Sequence, residues 1–287
     1  MKILFTSDIH IHPNHLFALV HKTLIIRPEV LIIGGDIIPH LLPGNQNIEI
    51  INAQAKYIKK TLIPELRYLK SQMTVDIFID MGNDDLSASR HLLQAHEGKT
   101  FQLLHMQRHR LSKHVDIIGY MVVPPTPFLR KDWEKPDTQN CPYAAGSQVQ
   151  IEGYTTASGQ KETVFLDFST SETIENDLNL LSAKIVRPFI FVSHSPPYGT
   201  PLDQIAGGIH VGSISIRRFI EHWSRQGLLI ASFHGHIHES PRISGYTRTA
   251  IHRTQCFNPG QQEEKLQFLE LELVENQGKD KLKIIAS

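Results

Sequence analysis

The sequence predicts an α/β protein with a largely parallel sheet, and three observations carry that expectation. Short apolar runs of strand length recur along the chain, and each closes on polar residues. Near the start, one such run, a helical segment and a second run follow with only a short return between them. That is the pattern of a βαβ unit, which makes a parallel pair. Toward the end the apolar positions alternate, as in Leu266, Phe268, Leu269, Leu271 and Leu273, so antiparallel strands are expected there.

Residues 2–7 form the first expected strand, which exits on Asp8-Ile9-His10. Asn14 is the expected cap of a helix carrying Leu16, Leu19, Val20 and Leu24, and Pro28 ends it. Val30-Leu31-Ile32-Ile33 then runs into Gly34-Gly35-Asp36. Residues 46–71 are expected to be mostly helical, with Ile48, Ile51, Ala55, Ile58 and Leu62 on one stripe and Pro64 kinking or interrupting it. A third strand over 75–81 ends on Gly82-Asn83-Asp84-Asp85, residues 89–96 read as a helix, and 115–123 as a fourth strand.

From Pro124 to about residue 160 the chain is rich in Pro, Gly, Ser and Asn, and reads as a long ordered loop over a site. Ser169-x-x-Glu172 has the form of a capping box for a helix carrying Ile174, Leu178, Leu181 and Ile185. Residues 189–192 are the next strand, ending on Ser193-His194-Ser195. Ile216, Phe219, Ile220 and Trp223 mark an amphipathic helix closed by Gly227, and residues 228–233 run as a strand into His234-Gly235-His236-Ile237-His238. Residues 249–257, 266–274 and 281–285 complete the strands. No internal repeat or linker divides the chain, so one domain over 1–287 with an insertion at about 124–160 is expected.

At 287 residues, 40% of them hydrophobic, the chain can bury a sizeable core. Its 29 Lys+Arg balance 29 Asp+Glu, so no global field favours long nucleic acid or anionic lipid. Cys141 and Cys256 make neither a disulfide framework nor a CxxC pair. No apolar run reaches membrane-spanning length and the start does not read as a signal peptide, so no membrane and a cytoplasmic setting are expected.

The chemistry lies at the strand exits. His236 and His238 stand two apart beyond Gly235, a spacing at which two imidazoles hold a metal, although a lone pair of this kind is also common as a hydrogen-bonded cluster. Other exits decide between the two, because Asp8 and His10, Asp36, Asn83 and His194 end their strands the same way. In open α/β sheets ligands gather at the carboxyl ends of strands. A mixed shell of carboxylate, amide oxygen and imidazole suits Mn, Fe, Zn or Ni rather than Ca. Seven donors exceed the needs of one hydrated ion, so two divalent ions sharing a carboxylate is the economical count.

The ordered set Asp8-x-His10, Gly35-Asp36, Gly82-Asn83-Asp84, His194 and Gly235-His236-x-His238, with Asn258-Pro259-Gly260 as a closing turn, resembles the calcineurin-like metallophosphoesterase family. The loop Pro124-Pro125-Thr126-Pro127-Phe128 with Lys131-Asp132-Trp133-Glu134 is similar to a less characterised subgroup. The resemblance implies a four-layer α/β/β/α sandwich, two packed mixed sheets flanked by helices. It implies that Asp8, His10 and His238 hold one ion, that Asn83, His194 and His236 hold the other, and that Asp36 bridges them. It also implies a phosphatase or phosphodiesterase acting on a small phosphorylated substrate, by attack of a hydroxide held between the ions. The family usually has His after the motif Asn, where it stabilises the transition state and protonates the leaving oxygen; here the position is Asp84. An ionised carboxylate donates poorly, so the expected substrates have leaving groups that need little protonation. The alternative is a metal-holding binding or regulatory protein with weak or lost turnover. Asp84 and His194 are the candidate catalytic residues, and Lys131, Tyr198 and His210 the candidate substrate contacts.

Overall fold

The computed structural model describes residues 1–40, 47–138, 150–169, 172–276 and 279–286. Among these residues sixteen strands follow in chain order: β1 (Lys2–Thr6), β2 (Val30–Ile33), β3 (Asp76–Ile79), β4 (Gln102–Leu103), β5 (Arg108–Arg110), β6 (Asp116–Tyr120), β7 (Gln150–Thr155), β8 (Glu162–Asp167), β9 (Phe189–Ser193), β10 (Gln204–Ile205), β11 (Ile209–His210), β12 (Leu229–Phe233), β13 (Arg248–Ile251), β14 (Thr254–Phe257), β15 (Leu269–Asn276) and β16 (Lys279–Ala286). The main helices are α1 (His15–Ile26), α2 (Asn47–Tyr57), α3 (Ile63–Gln72), α4 (Arg90–Gln94), α5 (Ile174–Ser182), α6 (Ile214–Arg225) and α7 (Ser240–Ser244).

Two six-stranded sheets form the frame, in the orders β16-β15-β1-β2-β3-β4 and β13-β14-β12-β9-β6-β5. The two share a plan. Four parallel strands, β1 to β4 in one and β6, β9, β12 and β14 in the other, are flanked by antiparallel strands, on the β1 side alone in the first sheet and on both sides in the second. Parallel strands buried on both faces need continuous apolar runs, and β2 and β9 are buried at every position. The sheets meet face to face through Phe5 of β1 and Phe233 of β12, whose ring centroids lie 4.9 Å apart. Helices α1 and α3 flank the first sheet, and α5 and α6 the second, with Leu16, Leu19, Leu66, Leu178 and Ile220 facing inward. This is the two-sheet sandwich flanked by helices that the resemblance implied.

Several local expectations are corrected. Asn14 occupies the N-cap of α1, but its side chain makes no capping bond. The helical stretch read over 46–71 is, by contrast, interrupted at Pro64 as expected: a π-helical segment, Ile58–Leu62, precedes α3, which has Pro64 in its first turn. The cap of α5 is Thr173, which accepts from the Asn176 amide, while Ser169 bonds to Asp167 instead. The segment read as loop up to about residue 160 contains β7, which pairs with β8 as a hairpin. Gly153 interrupts the apolar alternation of β7 and hid the strand from periodicity. Residues 139–149, with Cys141 and Tyr143, lie outside the described residues; Cys256 is buried and free.

The proline-rich segment is ordered by inward-facing charges. Asp132 accepts from the Ser87 and Thr156 amides at 2.8 and 2.6 Å. Glu134 accepts from the Thr126 amide at 3.0 Å and from Lys131 Nζ at 2.8 Å. The Leu129 carbonyl accepts from Tyr154, and Lys131 N–H donates to the Tyr154 carbonyl, each at 2.8 Å. Residues 129–131 therefore lie along β7, and this places Arg130 and Tyr154 over the strand exits of both sheets.

Candidate metal centre

Three residues at the strand exits adopt left-handed backbone conformations: Asp8 (φ 56°), Asp36 (φ 51°) and His236 (φ 66°). Non-glycine residues are uncommon there, and such strain gathers at functional sites. It has a local cause in each case. Asp8 N–H donates to the Gly35 carbonyl at 3.1 Å and His10 N–H to the Asp36 carbonyl at 3.0 Å, which ties the ends of β1 and β2 together. The Asp8 carboxylate accepts the His236 amide at 3.0 Å and so crosses from the first sheet to the second. Two glycines leave room for this convergence. A Cβ at Gly82 would collide with Asp36 Oδ1 and His194 Nε2, and one at Gly235 with Ser7 Oγ and Asp8 Oδ2. Asn258 Nδ2 donates to the Ile237 carbonyl at 3.2 Å, which fixes the turn between His236 and His238.

All seven donors expected from the sequence reach one region. His194 Nε2 lies 3.0 Å from Asn83 Oδ1, 3.3 Å from Asp36 Oδ2 and 3.9 Å from Asp8 Oδ1. His10 Nδ1 lies 3.7 Å from Asp36 Oδ2. The His194 and His236 rings are 5.3 Å apart, centroid to centroid, and those of His10 and His238 6.1 Å. Donor atoms of Asp8, His10 and Asp36 fall within 4.8 Å of one another, as do those of His10, His40 and Asp84. Asp8, His10, Asp36, Asn83 and His194 are buried, whereas His238 keeps 39% of its side chain exposed.

The direction of the lone pairs tests whether cations fit. His194 Nδ1 lies 2.9 Å from the Gly34 carbonyl and His10 Nδ1 3.3 Å from the Asp36 carbonyl. A carbonyl only accepts, so each Nδ1 carries the proton, and in the neutral ring Nε2 presents a lone pair. His194 Nε2 then faces the oxygens of Asn83, Asp36 and Asp8, and His10 Nε2 faces Asp84 Oδ2 at 3.4 Å. Lone pairs aimed at lone pairs repel unless a cation stands between them. Imidazoles oriented by backbone carbonyls are the usual outer support of a metal site. The donor set fits divalent cations.

Without a metal, protons take that place. Burial pulls the His194 imidazole toward neutrality, but Asp36 and Asp8 outweigh it and lift its pKa to about 9. Burial drives His236 down to about 3 and also lowers His10. Burial opposes ionisation of Asp36, yet His194 and His10 hold it well below the usual carboxylate range. Burial and the nearby Asp36 lift Asp85 to about 8. His194 gains its proton in the fold, so its contribution is complete below about pH 6.5 and is lost as pH rises through about 9. Asp85 loses protons in the same sense up to about pH 8, while the depressed histidines are neutral in both states above pH 7. The metal-stripped protein is expected to lose thermal stability steadily from pH 7 to pH 9. Metal uptake at pH 7.5 is expected to release protons, read by calorimetry in buffers of different ionisation enthalpy. A stripped protein whose melting temperature rises over that interval contradicts this assignment.

A cleft of about 720 Å³ opens over the centre, with His10, Asp36, Asn83, Asp84, His236 and His238 in its floor. Of the expected substrate contacts, none lines it. Lys131 is turned inward, 6% exposed, with its ammonium on Glu134 and the Thr126 and Phe128 carbonyls, because Glu134 needs a buried counter-charge. Tyr198 packs against His210, which bonds Asp203 at 2.7 Å, and both lie outside the cleft lining. The cation that does line it is Arg130, whose Nη1 donates to Asp84 Oδ1 at 2.9 Å and to the Asp84 carbonyl at 2.6 Å. His40 joins it, with Nε2 2.9 Å from Asp84 Oδ2. The start of α6 is occupied by an anion from within the chain: Asp137 accepts from the amides of Ile214 and Ser215 at 2.6 and 3.2 Å. Asp85 was given no positioning role in the sequence, yet its carboxylate takes the amides of Ile37, Ile38 and Gly82 at 2.9 to 3.0 Å and so joins the Asp36 and Asn83 exits. An acidic residue two after the motif Asn was the available signal.

The fold and site together define a two-sheet α/β protein with a cluster of candidate cation ligands at its strand exits. The chain belongs to the calcineurin-like phosphoesterase family, whose sequence model matches residues 1–240. An uncharacterised protein of Methanocaldococcus jannaschii is 39% identical over 84 residues, a match that spans 29% of this chain and 37% of that protein's own length. One crystal structure aligns over 99% of both chains at 18% identity with a TM-score of 0.61. A dimetal phosphatase from Danio rerio aligns over 100% of this chain and 99% of its own, at 11% identity and a TM-score of 0.53. At such identities the structural likeness speaks for the fold. Among the described residues no helix is long and apolar enough to cross a membrane.

Proposed function

We propose that this protein is a dinuclear metal-dependent phosphoesterase acting on a small phosphorylated substrate. The observation that supports it most is the convergence of the His194 lone pair on the oxygens of Asp8, Asp36 and Asn83, with the His10 lone pair facing Asp84 beside them. In this reading Asp8, His10 and His238 would hold one ion, Asn83, His194 and His236 would hold the other, and Asp36 would serve both. When bound, such ions supply Lewis acidity toward phosphoryl oxygens and acidify water. The chain's own groups do the rest. Arg130, pinned by Asp84, offers its guanidinium to the phosphoryl group in the cleft. Burial of Asp8, Asp36 and His194 keeps bulk water from competing for the reacting centre. Asp84 is proposed to orient rather than to donate, because Arg130 and His40 both hold it as a carboxylate.

That same pinning is what a second reading rests on, a metal-holding binding or regulatory protein with little turnover. Stripping metal and adding back Mn, Fe, Zn, Ni or Mg, with chromogenic esters as substrates, separates the two. The phosphoesterase reading expects turnover to vanish on stripping and to return with at least one metal. Metal content of about two ions per chain without turnover on any ester sinks it in favour of the second reading.

A further inference from the structure

Two clefts, not one, meet at the candidate metal centre. The first, of about 720 Å³, has an apolar wall of Pro124, Pro125, Pro127, Phe128, Ile205 and Val211. The second, of about 500 Å³, has a polar wall of Arg242, Gln261, Gln262, Glu263 and Gln267. They share His10, His40, His238 and Glu239, so two imidazoles of the centre, those of His10 and His238, stand at their junction. Each is of a size that encloses an organic group, since ligand clefts run to about 300–1,000 Å³.

We propose that the substrate is a phosphodiester with one apolar or aromatic arm and one polar arm, its phosphorus seated at the junction; this rests on the phosphoesterase reading above. A monoester carries one organic substituent and fills one cleft. A diester carries two, and they diverge from phosphorus as the clefts diverge from His10 and His238. The walls differ in kind, so the arms differ too. Phe128 and Leu129 are 60% and 64% exposed at the mouth of the first cleft, apolar surface that an aromatic or aliphatic arm would cover. In the second, Arg242, Gln262 and Gln267 offer donors and acceptors to a hydroxylated or charged arm, while the buried Gln261 amide is held by Ser7 and Gln267. The reaction balances as hydrolysis. The oxygen of one water bonds to phosphorus, the bond from phosphorus to one arm's oxygen breaks, and that oxygen leaves with one of the water's protons as an alcohol. The other arm remains on a phosphomonoester.

The test uses the full-length, metal-loaded protein with 4-nitrophenyl phosphate, which has one arm, and 4-nitrophenyl phosphorylcholine, which adds a polar second arm to the same leaving group. The diester is expected to show a kcat/KM at least tenfold higher. Gln262 is exposed, so Gln262→Trp narrows the polar cleft from the surface. It is expected to lower that diester-to-monoester ratio at least tenfold, and to weaken by a similar factor the calorimetric Kd of the phosphonate analogue that has CH₂ in place of the leaving oxygen. Equal or better turnover of the monoester, or a ratio that Gln262→Trp leaves alone, overturns the two-arm proposal while the phosphoesterase reading stands. No turnover of either ester, with analogue binding still weakened by Gln262→Trp, keeps the two-cleft site and removes the enzyme. No turnover and no binding removes both.

Discussion

Asp36→Asn is expected to leave the protein folded, to retain fewer than two ions per chain, and to lose about a thousandfold or more in kcat/KM. Asp36 is placed closely against both halves of the centre. Its Oδ1 accepts the Asp84 amide at 2.8 Å, and its Oδ2 lies 3.3 Å from His194 Nε2 and 3.7 Å from His10 Nδ1. Asparagine keeps the shape, tolerates the left-handed backbone, and can still accept the Asp84 amide through its carbonyl oxygen. Its amide nitrogen, however, puts two donors where a cation needs a lone pair. Losing even an outer support of a metal ligand costs about 10–100-fold in affinity or activity, so a ligand shared by two ions is expected to cost more. The measurements are elemental analysis after dialysis and kcat/KM on the better chromogenic ester, with far-ultraviolet circular dichroism to verify folding. Two tightly held ions in Asp36→Asn would contradict the bridging role, whatever the turnover.

The fold was legible because most of the parallel strands, among them β1, β2, β9 and β12, are short apolar runs that stop on polar residues, and their exits therefore marked both the sheets and the site. Val30 to Ile33 followed by Gly35-Asp36 is the plainest case, buried throughout and ending at the centre. What was not legible depended on partners remote in sequence. Lys131 and Arg130 are indistinguishable as neighbouring cations until Glu134 claims the first and Asp84 the second. The Asp137 carboxylate fills the α6 start from 77 residues away, which no local pattern announces. The hairpin of β7 and β8 was obscured by the small and polar residues Gly153, Thr155 and Thr163, which do not make an apolar stripe. Asp85 shows the same limit: its place beside Asp84 could be read, but its three amide donors come from two separate strand exits.

Asp84→His is expected to speed hydrolysis of esters with poor leaving groups, while changing little for 4-nitrophenyl esters. Burial would raise the Asp84 pKa, but the hydrogen bond with His40 and the charges of His10 and His40 outweigh it, and the carboxyl is held below its ordinary value. A group ionised throughout the neutral range has no proton to give, and a positioned general acid typically contributes about 10²–10⁴ in rate. Imidazole at this position sits beside Asp36 and His10, where the leaving oxygen of a substrate in the cleft would emerge. The gain is expected near the lower end, about tenfold to a hundredfold, because the substitution frees Arg130 from its 2.9 Å bond to Asp84 Oδ1 and crowds His40. The informative measurement is kcat against leaving-group pKa over a series of aryl and alkyl esters. The native protein should show a steep fall toward poor leaving groups, and Asp84→His a shallower one. Asp84→Asn separates the two effects of the change, since it removes the charge without adding a donor, and its slope should stay steep. If Asp84→His slows poor and good leaving groups alike, as Asp84→Asn does, then Asp84 serves to hold Arg130 and His40 in place and proton donation comes from elsewhere in the site.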